Sequence, residues 1–189
     1  MSVDSGLVFE RSGVQWLGES TIQTLEPRMY YLRVPYRNQN SIWNFDSALA
    51  DFDLAHIYGE NIFTGRDRIG EANQLTTGLT SRVLAEKTGE ELFQATIAQR
   101  HYFSDQNVTL PNGTIDTNRK SDLLVSASGK VGKNVWIDTS AQYNFDNNQL
   151  MRADGSVRWQ PAPRKVLNVG YSRNEVTSTP TSTVYASAQ

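Results

Sequence analysis

Regular alternation of apolar and polar residues is the main pattern in this sequence. It is clearest in residues 134–146, NVWIDTSAQYNFD, where odd positions are apolar or small and even positions are polar, apart from Trp136. Successive side chains of a β-strand point to opposite faces, so this two-residue period predicts a strand with one apolar and one polar face. The apolar face must then meet either a protein core or lipid.

The same alternation recurs along most of the chain, with turn residues between the segments and little helical periodicity. Several segments are about ten residues or longer, whereas globular strands are commonest at about five or six residues. A tilted membrane strand needs about 9–11 residues, so these lengths favour strands that cross a membrane. The predicted strands are 3–10, 20–34, 73–85, 91–103, 122–129, 134–146, 149–160 and 166–174, with a ninth after Glu175.

Long and short connections alternate between the predicted strands. Residues 86–89, 129–133 and 161–165 are tight links rich in Gly, Pro and Lys, whereas 35–72 and 104–121 are long. An outer-membrane barrel has short periplasmic turns and long external loops. We therefore predict an all-β, antiparallel transmembrane β-barrel segment with a long external loop at about 35–72.

The predicted strands divide their side chains between two environments. Glu26 and Arg28 lie two apart on a polar face, where a wet lumen tolerates charge and a dry core would impose a desolvation cost. Pro27 between them predicts a bulge or a weakly paired position. The side chains predicted to face the lumen are Glu26, Arg28, Arg82, Asp138 and Gln142. Those predicted to face lipid are Leu79, Val135, Ile137, Thr139 and Tyr143.

Composition excludes several classes of protein. The net charge is −2 and the pI is near 5.7, so the chain lacks the basic footprint of a nucleic-acid-binding protein. Cysteine is absent, which excludes disulfides and thiolate metal sites. Mean hydropathy is −0.50, and no apolar run is long enough for a membrane helix. The N-terminus lacks a signal peptide, so we expect an exported protein to be a fragment without its leader.

Candidate chemistry is sparse. His56 lies beside Asp51 and Asp53 in the long loop, in a group that suits either metal binding or acid–base work, but a solvated loop histidine is the favoured interpretation. His101 ends a predicted strand. The chain holds no GxSxG, HExxH or Gly-rich phosphate motif. We expect no catalytic, cofactor-binding or metal-ligating residues, and no enzyme activity.

Four segments that follow one another in order carry a family resemblance. They are TLEPRMYYLRVPYRNQ (24–39), NFDSALADFD (44–53), FTGRDRIGEANQLTTGLTSR (63–82) and QRHYFSD (99–105). Together they resemble the C-terminal barrel domain of the lipopolysaccharide-assembly outer-membrane protein family LptD, also called the organic solvent tolerance protein family. From residue 122 onward the resemblance rests mainly on the strand pattern.

The resemblance implies a transport role at the cell outer membrane. Residues 1–189 would be part of one outer-membrane β-barrel domain, about eight or nine strands of a barrel of about 26. Such a barrel takes lipopolysaccharide from the periplasmic bridge protein LptA, through parts outside this chain, and holds a plug lipoprotein, LptE. Neither a cofactor nor a nucleic acid is implied. The residues expected to structure the long loop or to contact a partner are Arg66, Asp67, Arg68, Asn73 and Gln74.

Two alternatives remain open from the sequence. One is a complete small outer-membrane barrel of structural or pore type, whose eight strands would fill the interior with side chains. Single-channel conductance or barrel circumference would identify it. The other is a soluble carbohydrate-binding β-sandwich, which would fold as a monomer in buffer without detergent.

Overall fold

A single antiparallel sheet contains all the regular structure of the described chain. The computed structural model describes residues 1–176 and 179–189, and within them the chain forms ten strands and no helix. They are β1 Ser2–Gly6, β2 Phe9–Trp16, β3 Glu19–Val34, β4 Ala72–Ala85, β5 Glu91–Tyr102, β6 Leu123–Gly132, β7 Val135–Asn144, β8 Gln149–Ala162, β9 Lys165–Asn174 and β10 Thr181–Ala188. The predicted all-β, antiparallel class is confirmed.

The sheet is open within the described residues. Its strand order is β1-β3-β4-β5-β6-β7-β8-β9-β10, and β2 also pairs with β3. The sheet therefore begins at β1 and β2 and ends at β10, and on the outer side of these strands no further strand of the described residues lies next to the backbone. No helix of the described residues is long and apolar enough to cross a membrane.

The prediction for the N-terminal strand was wrong. Instead of one strand at 3–10, β1 pairs with Arg28–Leu32 and β2 pairs with Glu19–Leu25, both along the same strand β3. The interruption lies opposite Pro27, whose carbonyl accepts a hydrogen bond from Leu7 N at 3.1 Å. Proline has no N–H to return to the ladder, so pairing weakens there and the neighbouring strand is divided.

The bulge that Pro27 predicted is found elsewhere. The register between β2 and β3 shifts by one residue between Arg11 and Val14. Gly13 supplies the positive φ, +79°, that this position requires. Pro27 thus weakens the pairing, while a glycine makes the bulge.

The described residues form two compact units. The first comprises residues 1–6, 28–77 and 98–121, and the second comprises 7–27, 78–97 and 122–189. In the first unit, Tyr30, Leu32 and Ala72 form a buried apolar cluster, against which Val34 and Tyr58 pack. Tyr58 thus packs the long loop against residues of β3 and β4.

In the second unit, strands β6 to β10 have two unlike faces. Ile137 lies opposite Val157, and Val157 opposite Val169, while Thr139 lies level with Gly155 and Tyr171. Directly opposed residues place their side chains on the same face. The large apolar side chains of this face that remain exposed are Val125, Val157, Trp159, Leu167, Val169, Tyr171 and Val184.

The opposite face of the same strands is polar. Ser140 pairs in register with Ser126 and Asp154, and Asp154 accepts hydrogen bonds from Ser172 Oγ at 2.6 Å and Ser140 Oγ at 3.5 Å. Trp136, the exception in the alternation, also lies on this face. The guanidinium of Arg158 stacks over its ring, 4.8 Å from the centroid. The tryptophan is therefore part of a cation–π pair rather than a break in the pattern.

The charged residues on the polar faces of β3 and β4 form ion pairs with residues of neighbouring strands. Glu26 lies 3.2 Å from Arg82, and Arg82 also donates to Glu91 at 2.9 Å. Arg28 makes a two-pronged contact with Asp4, at 3.0 and 2.6 Å. Cross-strand neighbours, rather than positions two apart on one strand, thus determine the ion pairs.

Candidate functional site in the long loop

Residues 67–71, DRIGE, hold the long loop in one conformation. This anchor segment comes immediately before β4, and each of its residues contacts residues 39–61 or 107–108. Two of its members, Arg68 and Glu71, are buried charged residues. Five consecutive residues thus organise both long connections.

Asp67 holds the segment around Phe45. Its Oδ2 accepts hydrogen bonds from Phe45 N at 2.6 Å and Asp46 N at 2.8 Å, while its own N–H donates to Ser47 Oγ at 3.1 Å. The two backbone N–H groups of Asp46 and Phe45 lower the pKa of the Asp67 carboxyl from its ordinary value, because they stabilise the ionised form. The carboxylate thus supplies the hydrogen-bond acceptor for these two backbone amides.

Arg68 holds the residues that follow β3. Its Nη1 donates to Gln39 O at 2.9 Å and its Nη2 to Ile42 O at 3.3 Å, with only 4% of the residue exposed. The Gln39 side chain adds a two-point clasp on Ile69, accepting from its N–H at 3.1 Å and donating to its carbonyl at 2.8 Å. A planar guanidinium suits this role, because its fork of donors satisfies two carbonyls at once.

Gly70 and Glu71 complete the anchor segment. Asn61 Oδ1 accepts from Gly70 N at 2.8 Å, and a Cβ at Gly70 would lie 2.9 Å from Ile62 Cγ1, which leaves room only for glycine. Glu71 Oε1 accepts from Val108 N at 3.2 Å and also from Asn107 N. The second long connection, 104–121, is thereby held by the same segment as the first.

A buried arginine on β5 secures the middle of the long loop. Arg100 is 3% exposed, and its Nε donates to Thr76 Oγ1 at 3.3 Å. Its Nη2 donates to the carbonyls of Ile57 and, at 3.5 Å, His56, while Thr76 Oγ1 donates to Ile57 O at 3.3 Å. Ile57 itself is fully buried. The turn containing His56 and Ile57 is therefore fixed to the polar faces of β4 and β5.

The residues predicted to structure the loop occupy different places. Asp67 and Arg68 lie in the anchor segment, and each holds backbone groups of the loop. Arg66 is exposed, and its N–H donates to Asp46 Oδ1 at 3.1 Å. Asn73 and Gln74 belong to β4: Asn73 Oδ1 accepts from Tyr31 Oη at 2.9 Å, and Gln74 is buried. Their predicted contact with a partner stays a prediction.

Sequence reasoning did not single out Arg100 or Glu71. Both stand inside segments that carry the family resemblance, Arg100 in 99–105 and Glu71 in 63–82, but their partners lie 24 or more positions away in the chain. The usable signal was a charged residue within or directly before a predicted strand, where an unsatisfied charge would be costly if buried. It predicts that a partner exists and does not identify it.

His56 has a local partner. Its Nδ1 lies 2.9 Å from Asp53 Oδ1, and both side chains are exposed. In residues 1–176 and 179–189 no group of three or more His, Cys, Asp or Glu side chains is arranged to hold a metal ion. The pair thus stabilises a turn of the loop, since the same carboxylate oxygen also accepts from His56 N at 2.9 Å.

Acid is expected to release the Phe45 segment. A carboxyl whose pKa is lowered on folding contributes stability above its unfolded pKa and loses it as pH falls through the folded pKa. The amides of Phe45 and Asp46 should therefore lose protection from hydrogen exchange below about pH 4. In the Asp67→Asn variant, protection should be weaker at neutral pH and change little with acid. Equal pH dependence in both proteins would contradict the assignment.

Comparison with known proteins gives a consistent result. A family model described as LptD, LPS transport system D, matches residues 1–185. The chain is 48% identical over 172 residues to the LPS-assembly protein LptD of Burkholderia lata, and the aligned region covers 90% of this chain and 22% of that relative. It is 46% identical over 180 residues to the protein of the same name from Burkholderia cenocepacia, covering 95% and 23%. For Azoarcus sp. the identity is 47% over 170 residues, covering 90% and 21%.

The chain spans about a fifth of the length of the curated relatives it matches.

Proposed function

This chain belongs to the LptD family, and from that premise we propose that it is a segment of an outer-membrane β-barrel that assembles lipopolysaccharide at the cell surface. The segment would form part of the barrel wall, and the whole protein would transport lipopolysaccharide into the outer leaflet. The family identified from the sequence motifs is confirmed. The role is transport, and it involves no bond chemistry.

The observation that carries this proposal is the exposed apolar face of strands β6 to β10. Val157, Val169 and Tyr171 stand beside one another on this face with more than a third of each exposed. Contiguous apolar surface of this kind is uncommon on a soluble monomer and is favoured where it is removed from water. Lipid provides that environment for a barrel wall, and the polar face opposite suits a water-filled lumen.

The ends of the sheet support a larger barrel. Unpaired strand edges in a membrane leave backbone donors and acceptors without partners, so spanning sheets are closed. Here β1 and β2 lie at one end of the strand order and β10 at the other. We propose that further strands of the whole protein continue the sheet at both ends. The alternatives of a complete small barrel and a soluble sandwich are not favoured, because the relatives are about four times as long as this chain.

The long loop, held by the anchor segment, offers a contact surface for a partner protein. Lipopolysaccharide is the proposed cargo, and LptA would dock through parts outside this chain. We propose that the residues held by the anchor segment contact the plug lipoprotein LptE, because a loop fixed by Arg68, Glu71 and Arg100 presents a constant surface. Co-purification of LptE would decide this part. Undiminished retention of LptE by the whole protein after deletion of residues 40–48 would contradict it.

Cysteine labelling at two adjacent positions tests the membrane assignment. Thr139 and Ser140 lie mid-strand on β7 and face opposite sides, and the chain has no cysteine of its own. In reconstituted whole protein without other accessible thiols, a fluorescent probe at Thr139→Cys should be quenched by a lipid-dissolved quencher. A probe at Ser140→Cys should respond to a water-soluble quencher instead. A Thr139→Cys probe that ignores the lipid quencher would show that this face does not meet lipid.

A further inference from the structure

A pocket of about 550 Å³ lies between the two long connections of the first unit. One wall is residues 40–44, and the other is residues 109–112. Arg68 holds the first wall through Gln39 O and Ile42 O, and Glu71 holds the residues that precede the second through Val108 N. The anchor segment therefore fixes both walls.

The lining combines one aromatic ring with uncharged polar groups. Trp43 is 80% exposed, so its indole face is free for contact. Three amides and two hydroxyls accompany it: Asn40, Asn44, Asn112, Ser41 and Thr109. Arg68 is the single charged lining residue, and its two terminal nitrogens already donate to backbone carbonyls. The pocket thus offers donors and acceptors in similar number but little free charge.

A second observation also points to a polar ligand. Arg68 Nε and Asn44 Oδ1 are both buried and have no hydrogen-bond partner among the described residues. Asn44 Nδ2 is engaged, because it donates to Ser47 O at 2.9 Å. The two unpaired atoms, one donor and one acceptor, thus belong to residues of the same pocket. A buried polar atom without a partner is costly, so each of these two atoms calls for a hydrogen-bonding group beside it, which a bound water or a polar ligand supplies.

We propose that this pocket binds a saccharide. The C–H face of a sugar ring packs on an aromatic face such as that of Trp43, while its hydroxyls both donate and accept, as asparagine amides require. A phosphate would need a free cation, and an acyl chain would leave the amides and hydroxyls desolvated without partners. The inference rests on the proposed function, because the saccharide would be part of the glycolipid that the whole protein delivers.

The walls are arranged before a ligand binds. Gly113 N donates to Leu110 O at 2.9 Å, and Asn112 adopts a positive φ of +63°, which closes the turn of the second wall. On the first wall, Ile42 N donates to Gln39 O at 3.0 Å. Walls that are already ordered lose little conformational freedom on binding, so modest contacts suffice for measurable affinity.

Titration with a defined oligosaccharide tests the pocket. The probe is the lipid-free core oligosaccharide released from lipopolysaccharide by mild acid, titrated calorimetrically into the whole protein with its plug partner. We expect binding that Trp43→Ala weakens at least about tenfold, and that Trp43→Phe partly restores. Phe45→Ala is the matched control, because Phe45 is 86% exposed two residues away and does not line the pocket. This control should bind like the parent.

Each other result overturns the inference. Absence of binding would mean that further loops of the whole protein fill the pocket, and equal losses in Trp43→Ala and Phe45→Ala would show that the pocket is not the site. Displacement of the oligosaccharide by inorganic phosphate would assign an anion site instead. Delivery of lipopolysaccharide to the surface of depleted cells is measured separately. Delivery by the parent protein without oligosaccharide binding would remove this inference alone, whereas failed delivery would overturn the proposed function.

Discussion

Arginine in place of Ile137 is expected to block insertion of the whole protein into the outer membrane. Ile137 is the third residue of β7 and lies opposite Val157 on the apolar face, with Val169 next in the row. An arginine on the lipid side near the midplane costs about 2–4 kcal/mol, which is a large part of the stability of an ordinary domain. Heat-modifiable mobility on a gel and the yield of membrane-inserted protein measure the effect.

The matched control is arginine at Ser140, on the other face of the same strand. There the new guanidinium would stand beside Asp154, which lies directly opposite Ser140. We expect nearly normal insertion. A soluble sandwich would also suffer at Ile137, because its core would then hold the charge. The combination that supports a membrane wall is therefore failed insertion together with lipid quenching at Thr139→Cys. Normal insertion of Ile137→Arg would contradict it.

Methionine in place of Arg100 is expected to release the middle of the long loop. The change removes hydrogen bonds to Thr76, His56 and Ile57, and it leaves the carbonyl of the fully buried Ile57 without its charged donor. Hydrogen bonds to charged groups contribute about 1.5–3 kcal/mol each, so we expect a local loss of about 3 kcal/mol or more. Hydrogen exchange and protease cleavage within residues 53–58 should rise by at least about tenfold.

Arg119→Met supplies the comparison for this experiment. Arg119 forms an exposed ion pair with Asp105 at 2.8 Å, in the same unit of the structure. Exposed pairs contribute only about 0–1 kcal/mol, so protection of residues 53–58 should barely change. Equal sensitivity in the two variants would mean that Arg100 does not hold the turn. Because barrel insertion should be normal in both, loop release can be separated from misfolding.

The strands and their two faces could be predicted because their signal is local. A period of two over residues 134–146 already separates Ile137 from Ser140, whatever surrounds the strand. The same holds for β9, where Leu167, Val169 and Tyr171 alternate with polar or small residues. Turn residues then divide one strand from the next, so most boundaries fell within about two residues of the structure.

Pairing between strands could not be predicted from the local sequence pattern. Whether residues 3–16 form one strand or two depends on Pro27, which stands on a different strand and cannot donate to it. Likewise, Glu26 pairs with Arg82 and Arg28 with Asp4, because the nearest opposite charge lies on a neighbouring strand rather than two positions along the same strand.

In the candidate site, too, the motif DRIGE could be recognised from the sequence, but its contacts could not. Its family resemblance and its loop position could be recognised from residues 63–82 alone. That Asp67, Arg68 and Glu71 each hold a different segment required the folded chain, because their acceptors and donors lie between 20 and 37 positions away. Arg100 was missed for the same reason.

By itself, then, the sequence determined the all-β class, the apolar and polar faces, the long loop and the family. These follow from periods and motifs that are written into consecutive residues. Only the tertiary structure decided which strands are divided, which charges pair, and which backbone groups the anchor segment satisfies. Hydrogen bonds and ion pairs join groups that are distant in sequence, and geometry selects among many donors and acceptors that are chemically equivalent.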